Sequence, residues 1–137
     1  MTRSDDQRLQ KARDAMRDVF GIEWNITLRD GEPAVAEDLM RVLLQNAFAD
    51  SWSRPGLSAR DRSLITLAIS IALGATTELR NHAVGAQRIG ITPDEIVEVL
   101  IHTAAYCGAA RTSAAWSAVR PLLVQQPTDA SDAGRQP

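Results

Sequence analysis

Apolar residues recur along most of the chain every three or four positions, which is the spacing of one face of an α-helix. The periodic stretches are separated by short segments that contain Gly or Pro, and no stretch shows the alternation of a β-strand. An all-α fold is therefore predicted. The predicted helices run from Asp5 or Asp6 to Phe20, from Pro33 to about Phe48, from Ala59 to Leu73, from Glu78 to about Arg88, from Pro93 to Cys107, and from Thr112 or Ser113 onward.

Two of the helix starts carry the sequence signature of a capping box. Ser58 is followed three residues later by Asp61, and Thr92 is followed three residues later by Glu95. In this motif the hydroxyl accepts a hydrogen bond from the backbone N–H of the acidic residue, whose carboxylate accepts one from the capping residue. The third and fifth helices are thus expected to begin directly after these two capping residues.

The other helix boundaries rest on single residues. Thr76 or Thr77 is the predicted N-cap of the fourth helix, because a threonine hydroxyl can accept a bond from a free N–H in the first turn. Gly108 is expected to close the fifth helix. Pro121 is expected to kink or divide the sixth helix, because its ring nitrogen has no hydrogen to donate.

The length of 137 residues suits one domain, which is predicted over residues 1–126. Residues 127–137 carry too little apolar surface to fold, so a disordered tail is predicted there. The longest nearly apolar run, residues 64–75, is shorter than the roughly 20 residues of a membrane-spanning helix. Cys107 is the only cysteine, which excludes an internal disulfide, and no signal peptide is evident. A cytoplasmic location is therefore expected.

The charge balance indicates which partners are not expected. Lys and Arg together number 15 and Asp and Glu 17, which gives a formal net charge of −2. Proteins that bind nucleic acid usually present a basic face, because most of their affinity comes from phosphate contacts. Nucleic acid is therefore not expected as a partner, and the absence of a long apolar run gives the same expectation for a membrane.

Glu78 and His82 form the most informative pair in the sequence. They are four residues apart in a helical run, so their side chains share a face of the helix. A carboxylate at that spacing can accept a hydrogen bond from one imidazole nitrogen, which fixes the tautomer while the other nitrogen faces a pocket. Such a pair is suited to general acid–base catalysis. The alternative is a solvated glutamate beside a structural histidine.

A family resemblance emerges from the order and spacing of several short segments. Together they resemble the carboxymuconolactone decarboxylase family over roughly residues 45–120. The segments that carry the resemblance are Trp52–Leu57, Arg60–Leu64, Thr66–Ile69, Ala72–Gly74, Glu78–His82, Gly90–Ile96 and Ala105–Gly108. The resemblance implies an AhpD-like bundle of about six helices that assembles into rings, commonly trimers or hexamers.

The family also includes AhpD-like alkylhydroperoxidases, whose reactive helix carries Cys-x-x-Cys-x-x-x-His. When that motif is aligned on His82, the two cysteine positions are occupied by Ala75 and Glu78, and the relay glutamate position by Ser63. A dithiol peroxidase requires both a peroxidatic and a resolving thiol. The resemblance therefore points to the decarboxylase branch, and Cys107 is interpreted as a packing residue.

Members of the decarboxylase branch convert 4-carboxymuconolactone to 3-oxoadipate enol-lactone and carbon dioxide, in the β-ketoadipate pathway of aromatic catabolism. No cofactor is expected, because the unsaturated lactone of the substrate can itself accept the electrons released by decarboxylation. The enzyme then has to bind one carboxylate, take the other out of water, and protonate the resulting enolate.

In this scheme His82 is the predicted proton donor, and Glu78 orients it and tunes its pKa. Arg54 and Arg80 are candidates for the substrate carboxylate, because a guanidinium can hold a carboxylate through two parallel hydrogen bonds. Arg54 ranks higher, because Arg80 is two residues from both Glu78 and His82 and need not share their face. A turn ion pair between Arg54 and either Asp50 or Asp61 is its structural alternative.

Three further residues complete the predicted substrate site. His102 and Tyr106 are one helical turn apart and could line the same pocket, where the Tyr106 hydroxyl could donate to a lactone oxygen. An ordinary contact between helices is the alternative for both. Trp52 is predicted to supply an apolar wall, with a core or subunit contact as its alternative. Asp50 stands where the decarboxylases are expected to have Glu, so its role stays open.

The sequence leaves three rival interpretations. A metal site could be formed by His82, His102, Glu78 and Asp50, but their spacing matches no ligand signature, and no metal is predicted. The same fold could act on another lactone or on a β-keto acid in a different pathway. The chain could also be a non-enzymatic oligomeric module in which the Glu78/His82 pair is structural.

Overall fold

Helices account for most of the residues that the structure describes. The structure is a computed structural model, and it describes residues 3–124, within which there is no β-strand. The all-α prediction is therefore confirmed, whereas the predicted tail at residues 127–137 lies outside the described residues. The elements are α1 (Arg3–Phe20), α2 (Val35–Leu44), a π-helical segment (Gln45–Trp52), α3 (Ala59–Leu73), α4 (Thr76–Arg88) and α5 (Pro93–Leu123).

Helices α3, α4 and α5 pack against one another around the larger of two apolar cores. Each helix turns small and medium aliphatic residues inward, as expected for a chain with 4% aromatic residues. Close packing of such side chains provides the main driving force for folding. Members of this core with at most 2% of their surface exposed include Leu67, Ile71, Leu79, Ala83, Ile96 and Val119.

The second core lies between α1 and the continuous stretch formed by α2 and the π-helical segment. Its fully or nearly buried members are Leu9, Ala12, Met16, Leu44 and Ala49. Helix α1 also packs on α4, so it joins the two halves of the molecule. The surface between the halves is therefore formed by the end of α1, the π-helical segment and α4.

Both predicted capping boxes are present. The Ser58 hydroxyl accepts a hydrogen bond from the Asp61 N–H, and the Thr92 hydroxyl accepts one from the Glu95 N–H, so α3 and α5 begin where predicted. Glu95 also forms an ion pair with Arg60, which links the starts of α3 and α5. The hydrogen bonds from Arg60 and from the Thr92 backbone lower the pKa of Glu95 to about 2.

The boundaries of the second and fourth predicted helices differ from the structure. The second helix begins at Val35 rather than Pro33 and does not end near Phe48, because the chain continues as a π-helix to Trp52. Ser53 closes this segment with its N–H donating to the Phe48 carbonyl. The N-cap of α4 is Ala75, not Thr76 or Thr77, and it makes no side-chain capping bond. After the tight Gly74 turn the helix starts at Thr76, two residues before the predicted Glu78, so both threonines lie inside it.

The last two predicted helices form a single element with one interruption. Gly108 adopts φ 80° and ψ 170°, which breaks the helical geometry, but the chain resumes its helix directly afterwards. Pro121 lies within the last turn and does not divide the helix. Side chains of α4 satisfy carbonyl groups around this proline: Arg80 donates to Ala118 at 2.8 Å and Gln87 donates to Leu122 at 3.3 Å.

We expect Leu67→Ala to lower the free energy of unfolding by about 3 kcal/mol, because it leaves a cavity in the α3–α4–α5 core. Leu67 is 0% exposed. The matched control is Leu73→Ala on the same helix, where the side chain is 70% exposed, and a change within about 0.5 kcal/mol is expected there. Urea denaturation of both variants measures these values. Equal losses in the two variants would contradict the described packing.

Candidate functional site

A cavity of about 780 Å³ opens at the surface between the two halves of the molecule. Its walls come from α1, the loop that follows α1, α2, the π-helical segment and α4, with a contribution from α3. Most of the lining is apolar. Its apolar lining includes Met16, Phe20, Leu43, Phe48 and Trp52.

Four polar side chains line the cavity within the described part of the chain. They are Thr66 on α3 and Glu78, Asn81 and His82 on α4. The cavity thus brings the predicted proton donor and its predicted partner together in its lining. No Arg or Lys of residues 3–124 is among the lining residues. The charge that the described lining presents is therefore that of Glu78 and, when protonated, of His82.

His82 closes a circuit of ring contacts with three aromatic side chains, Phe20, Phe48 and Trp52, here called the aromatic box. The His82 ring lies edge-on to Phe20, with centroids 5.2 Å apart, and stacks on Trp52 at 5.8 Å with an interplanar angle of 19°. Phe48 contacts both of these residues, each at a centroid distance of 5.9 Å. These rings hold the imidazole in one orientation and limit its contact with water.

Local backbone structure explains how the box is assembled. Phe20 is the last residue of α1, and the left-handed Gly21 (φ 68°) ends the helix directly after it. Phe48 and Trp52 are four residues apart in the π-helical segment, so both point to the same side. His82 lies in the middle of α4, where it faces both elements. Three segments that are distant in sequence thus meet at one imidazole.

Burial lowers the pKa of His82 below its ordinary value of 6.5, and the negative charge of Glu78 opposes this shift in part. The imidazole Nδ1 atom is buried and has no hydrogen-bond partner. Removing water without supplying a partner disfavours the charged imidazolium, which accounts for the direction of the shift. The ring is therefore mainly neutral at neutral pH.

The expected hydrogen bond between Glu78 and His82 is not formed in the described structure. Nδ1 is unpaired, and Glu78 affects His82 only through its charge. The physical reason is that the His82 ring turns inward between Phe20 and Trp52, whereas Glu78 lies on the exposed first turn of α4. The spacing of four residues brings the two side chains to one cavity but does not fix their mutual geometry.

Of the other residues predicted for the substrate site, Trp52 lines this cavity and the rest lie outside it. Arg80 is directed to α5, where it donates to the Ala118 carbonyl, and Arg54 is exposed in the turn after the π-helical segment. His102 and Tyr106 lie together on an exposed face of α5 with ring centroids 5.4 Å apart. Their roles in substrate binding stay predictions.

Two other residues singled out in the sequence have structural surroundings. Asp50 forms an ion pair with Arg8, which links the π-helical segment to α1, rather than with Arg54. Cys107 is a free, partly buried thiol beside the Gly108 break. Within residues 3–124, no three His, Cys, Asp or Glu side chains converge in an arrangement that could hold a metal ion.

The lining residues that the sequence did not identify include Phe20, Phe48, Thr66 and Asn81. Phe20 and Phe48 continue the apolar stripes of their helices, and such residues usually serve in core packing. The spacing of Phe48 and Trp52 was a usable signal, because two aromatic residues four apart on a helix form a continuous wall. Nothing in the sequence indicated that Phe20 would reach the same place.

An imidazole at the wall of a largely apolar cavity is suited to exchanging a proton with a small organic molecule bound there. Within the described residues, no helix combines the length and apolar character that a bilayer span requires.

The model of the carboxymuconolactone decarboxylase family matches residues 37–121, which is more than half of the chain. The chain therefore belongs to this family.

Two relatives make the comparison more specific. The chain is 31% identical over 112 residues to 4-carboxymuconolactone decarboxylase from Acinetobacter baylyi, an alignment that covers 82% of this chain and 84% of the relative. It is 35% identical over 113 residues to nitrosuccinic acid decarboxylase from Metarhizium robertsii, covering 82% of this chain and 74% of that relative. These matches confirm the predicted family, its decarboxylase branch and the predicted class of enzyme, a carboxy-lyase.

We expect the native stability to fall in acid because of His82. The unfolded chain protonates this residue near pH 6.5, whereas the native state does so only at lower pH. Between these two pKa values the unfolded state binds more protons, so the free energy of unfolding decreases as the pH falls and is fully restored above pH 6.5. The measurement is urea denaturation from pH 8 to pH 5 for the native protein and His82→Gln. The native protein should lose more stability than the variant, and parallel curves would contradict the burial of the imidazole.

Proposed function

We propose that the protein is a cofactor-free decarboxylase that converts 4-carboxymuconolactone to 3-oxoadipate enol-lactone and carbon dioxide, with His82 as the proton donor. The observation that carries this proposal is the position of the His82 imidazole in the wall of an apolar cavity large enough for a small organic acid. Family membership and the two relatives support the reaction class.

The apolar wall favours departure of the carboxylate. A carboxylate placed against Phe20, Phe48 or Trp52 exchanges water for aromatic surface, which stabilises a concentrated charge poorly. In the transition state that charge spreads into the rest of the substrate while carbon dioxide forms. The apolar surroundings therefore raise the free energy of the transition state less than that of the bound substrate. The cavity therefore lowers the barrier by removing solvent from the reacting group.

The electron balance requires one proton. The bond between the ring carbon and the departing carboxylate breaks, and its electron pair moves into the unsaturated lactone to give an extended enolate. The His82 imidazolium then donates a proton to carbon, which gives the enol-lactone and leaves a neutral imidazole. Solvent returns the proton before the next turnover. The substrate itself accepts the electrons, so the scheme needs no redox partner.

The lowered pKa of His82 has two consequences for this step. An imidazolium in a dehydrated site is a stronger acid, which helps transfer to carbon. It is also scarce in the free enzyme at neutral pH. A bound carboxylate stabilises the imidazolium, so substrate binding is expected to draw a proton onto His82. Glu78 contributes to the same end, because its charge raises the pKa of His82.

The names of the two relatives support a common chemical class of substrate. Carboxymuconolactone and nitrosuccinic acid both carry a carboxylate whose loss leaves electrons that an attached group, a lactone or a nitro group, can accept. The second relative is the observation that favours a different acceptor-bearing acid as the alternative substrate. Both names describe decarboxylases, which favours an enzyme over the non-enzymatic module.

Contacts to the second substrate carboxylate are also part of the proposal. Because the described lining contains no Arg or Lys, a guanidinium would have to reach the cavity from its surroundings. Arg54 fits that task best among the predicted residues, since it is exposed and follows Trp52 by two positions. Arg80, His102 and Tyr106 would require a second subunit to bring them to a cavity. Homo-oligomerisation, as a trimer or hexamer, and a cytoplasmic location stay predictions.

We expect carbon dioxide release from 4-carboxymuconolactone, and we expect His82→Gln to lower kcat by at least about 100-fold, because general acid catalysis typically contributes that much. Stopped-flow absorbance of the lactone follows the reaction, and nitrosuccinic acid is assayed in parallel. The control is Glu98→Gln, an exposed acid on α5 outside the cavity, which should retain activity. Native activity in folded His82→Gln would contradict the assignment, whereas turnover of nitrosuccinic acid alone would change the substrate but not the donor.

The pH profile tests the protonation state. We expect kcat/KM to fall with rising pH along a limb set by the pKa of His82 in the free enzyme, below 6.5. The corresponding limb in kcat should lie at higher pH, because the bound anion stabilises the imidazolium. Glu78→Gln removes the charge that raises the pKa of His82, so its kcat/KM limb should move to lower pH. A limb that stays in place in Glu78→Gln would show that Glu78 does not act through its charge.

A further inference from the structure

Gly85 occupies an unusual place for a glycine. It lies in the interior of α4, where glycine is a weak helix former, and it is buried. Its backbone does not require glycine, because the glycines with positive φ are Gly21, Gly31, Gly74, Gly90 and Gly108. Neither a turn nor a left-handed conformation explains the residue, so the explanation has to be the space that its missing side chain leaves.

Phe20 fills that space. A Cβ atom on Gly85 would lie 2.7 Å from both Cδ1 and Cε1 of the Phe20 ring and 3.3 Å from Cγ1 of Val19. Real Cβ atoms essentially never approach other heavy atoms within 3.0 Å, so any other residue would displace the ring. The end of α1 thus approaches α4 as closely as it does only because position 85 has no side chain.

The displaced ring is one of the two that touch the proton donor. Gly85 follows His82 by three positions, so both lie on the same face of α4, and Phe20 extends over both. Phe20 is edge-on to His82 at an interplanar angle of 67° and also contacts Phe48. Movement of Phe20 away from α4 would therefore open one side of the aromatic box.

We propose that Gly85 is a positioning residue for His82: the space at position 85 admits the Phe20 ring, which shields the imidazole from water and holds it against Trp52. The catalytic consequence rests on the proposed function, but the effect on the imidazole does not. Val19 is 3% exposed, so the end of α1 has little freedom to adjust. The Phe20 ring must give way instead.

The titration of His82 reports this arrangement selectively. The residues that face the imidazole from α1 and from the π-helical segment are Phe20, Phe48 and Trp52, none of which titrates. From α3 the lining residue is Thr66, and from α4 the titrating neighbour in the described lining is Glu78. Because burial is the larger cause of the lowered pKa, loss of the Phe20 ring over His82 should raise the pKa toward 6.5.

The experiment is an NMR titration of the His82 imidazole in the substrate-free protein, for the native chain, Gly85→Ala, Phe20→Ala and the double variant. Gly85→Ala and Phe20→Ala should each raise the pKa of His82. In the Phe20→Ala background, Gly85→Ala should cause no further rise, because the atoms that it would displace are gone. The control is Gly56→Ala, where an added Cβ meets no atom within 4 Å, and the pKa should stay at the native value.

An unchanged pKa in Gly85→Ala, or an equal shift with and without Phe20, would overturn the proposal. If Gly85→Ala does not fold, Phe20→Ala alone decides: a native pKa in that variant overturns the proposal, and a raised one supports it. In activity assays, the kcat/KM limb of Gly85→Ala should move to higher pH together with the NMR pKa. A raised pKa in a protein that decarboxylates neither substrate would refute the proposed function and leave the positioning role intact.

Discussion

The contact of Phe20 and Trp52 with the two sides of the His82 ring is the interaction on which the rest of the site depends. It joins the half of the molecule built by α1, α2 and the π-helical segment to the half built by α3, α4 and α5. An imidazole between aromatic rings loses water, and its unpaired Nδ1 atom receives no compensating bond. The same packing that joins the halves therefore shifts the acidity of the one histidine at the cavity.

The burial of His82 without a hydrogen-bond partner lowers the stability of the protein but suits the proposed role of this residue. Burying a polar ring without a partner costs free energy, which apolar and aromatic packing around it offsets. A hydrogen bond donated by the imidazole to the Glu78 carboxylate would relieve that cost, but it would also hold the proton more firmly. In the described structure Glu78 provides charge without a bond, so it offsets only part of the cost of charging the buried imidazole. A donor that must release its proton to carbon benefits from such an environment.

Local sequence signals predicted the parts of the fold that local interactions determine. The capping boxes at Ser58 and Thr92 fixed the starts of α3 and α5, because both partners of each box lie within four residues. The prediction failed at Phe48, where the helix continues with π geometry, because packing of that segment against α1 overrides the local preference. It also failed at Pro121, where the helix continues to Leu123 and packs against α4, whose side chains donate to the carbonyls of Ala118 and Leu122.

The candidate site also contains residues that the sequence could identify and residues that it could not. His82, Glu78 and Trp52 could be nominated from spacing and from the family resemblance, and all three line the cavity. Phe20 could not be nominated, since its position beside His82 depends on the space at Gly85, sixty-five residues further along the chain. The relative orientation of Glu78 and His82 could not be predicted from the sequence either, because tertiary packing decides how the imidazole rotates toward the aromatic box.

The most direct measurement is a crystal structure of the protein soaked with an unreactive dicarboxylate analogue of the lactone. The account predicts that the analogue lies in the cavity against Phe20 and Trp52, with the carbon to be protonated within about 3.5 Å of an imidazole nitrogen of His82. An analogue bound elsewhere, for example over the exposed His102 and Tyr106 pair, with His82 still enclosed and out of reach, would contradict it.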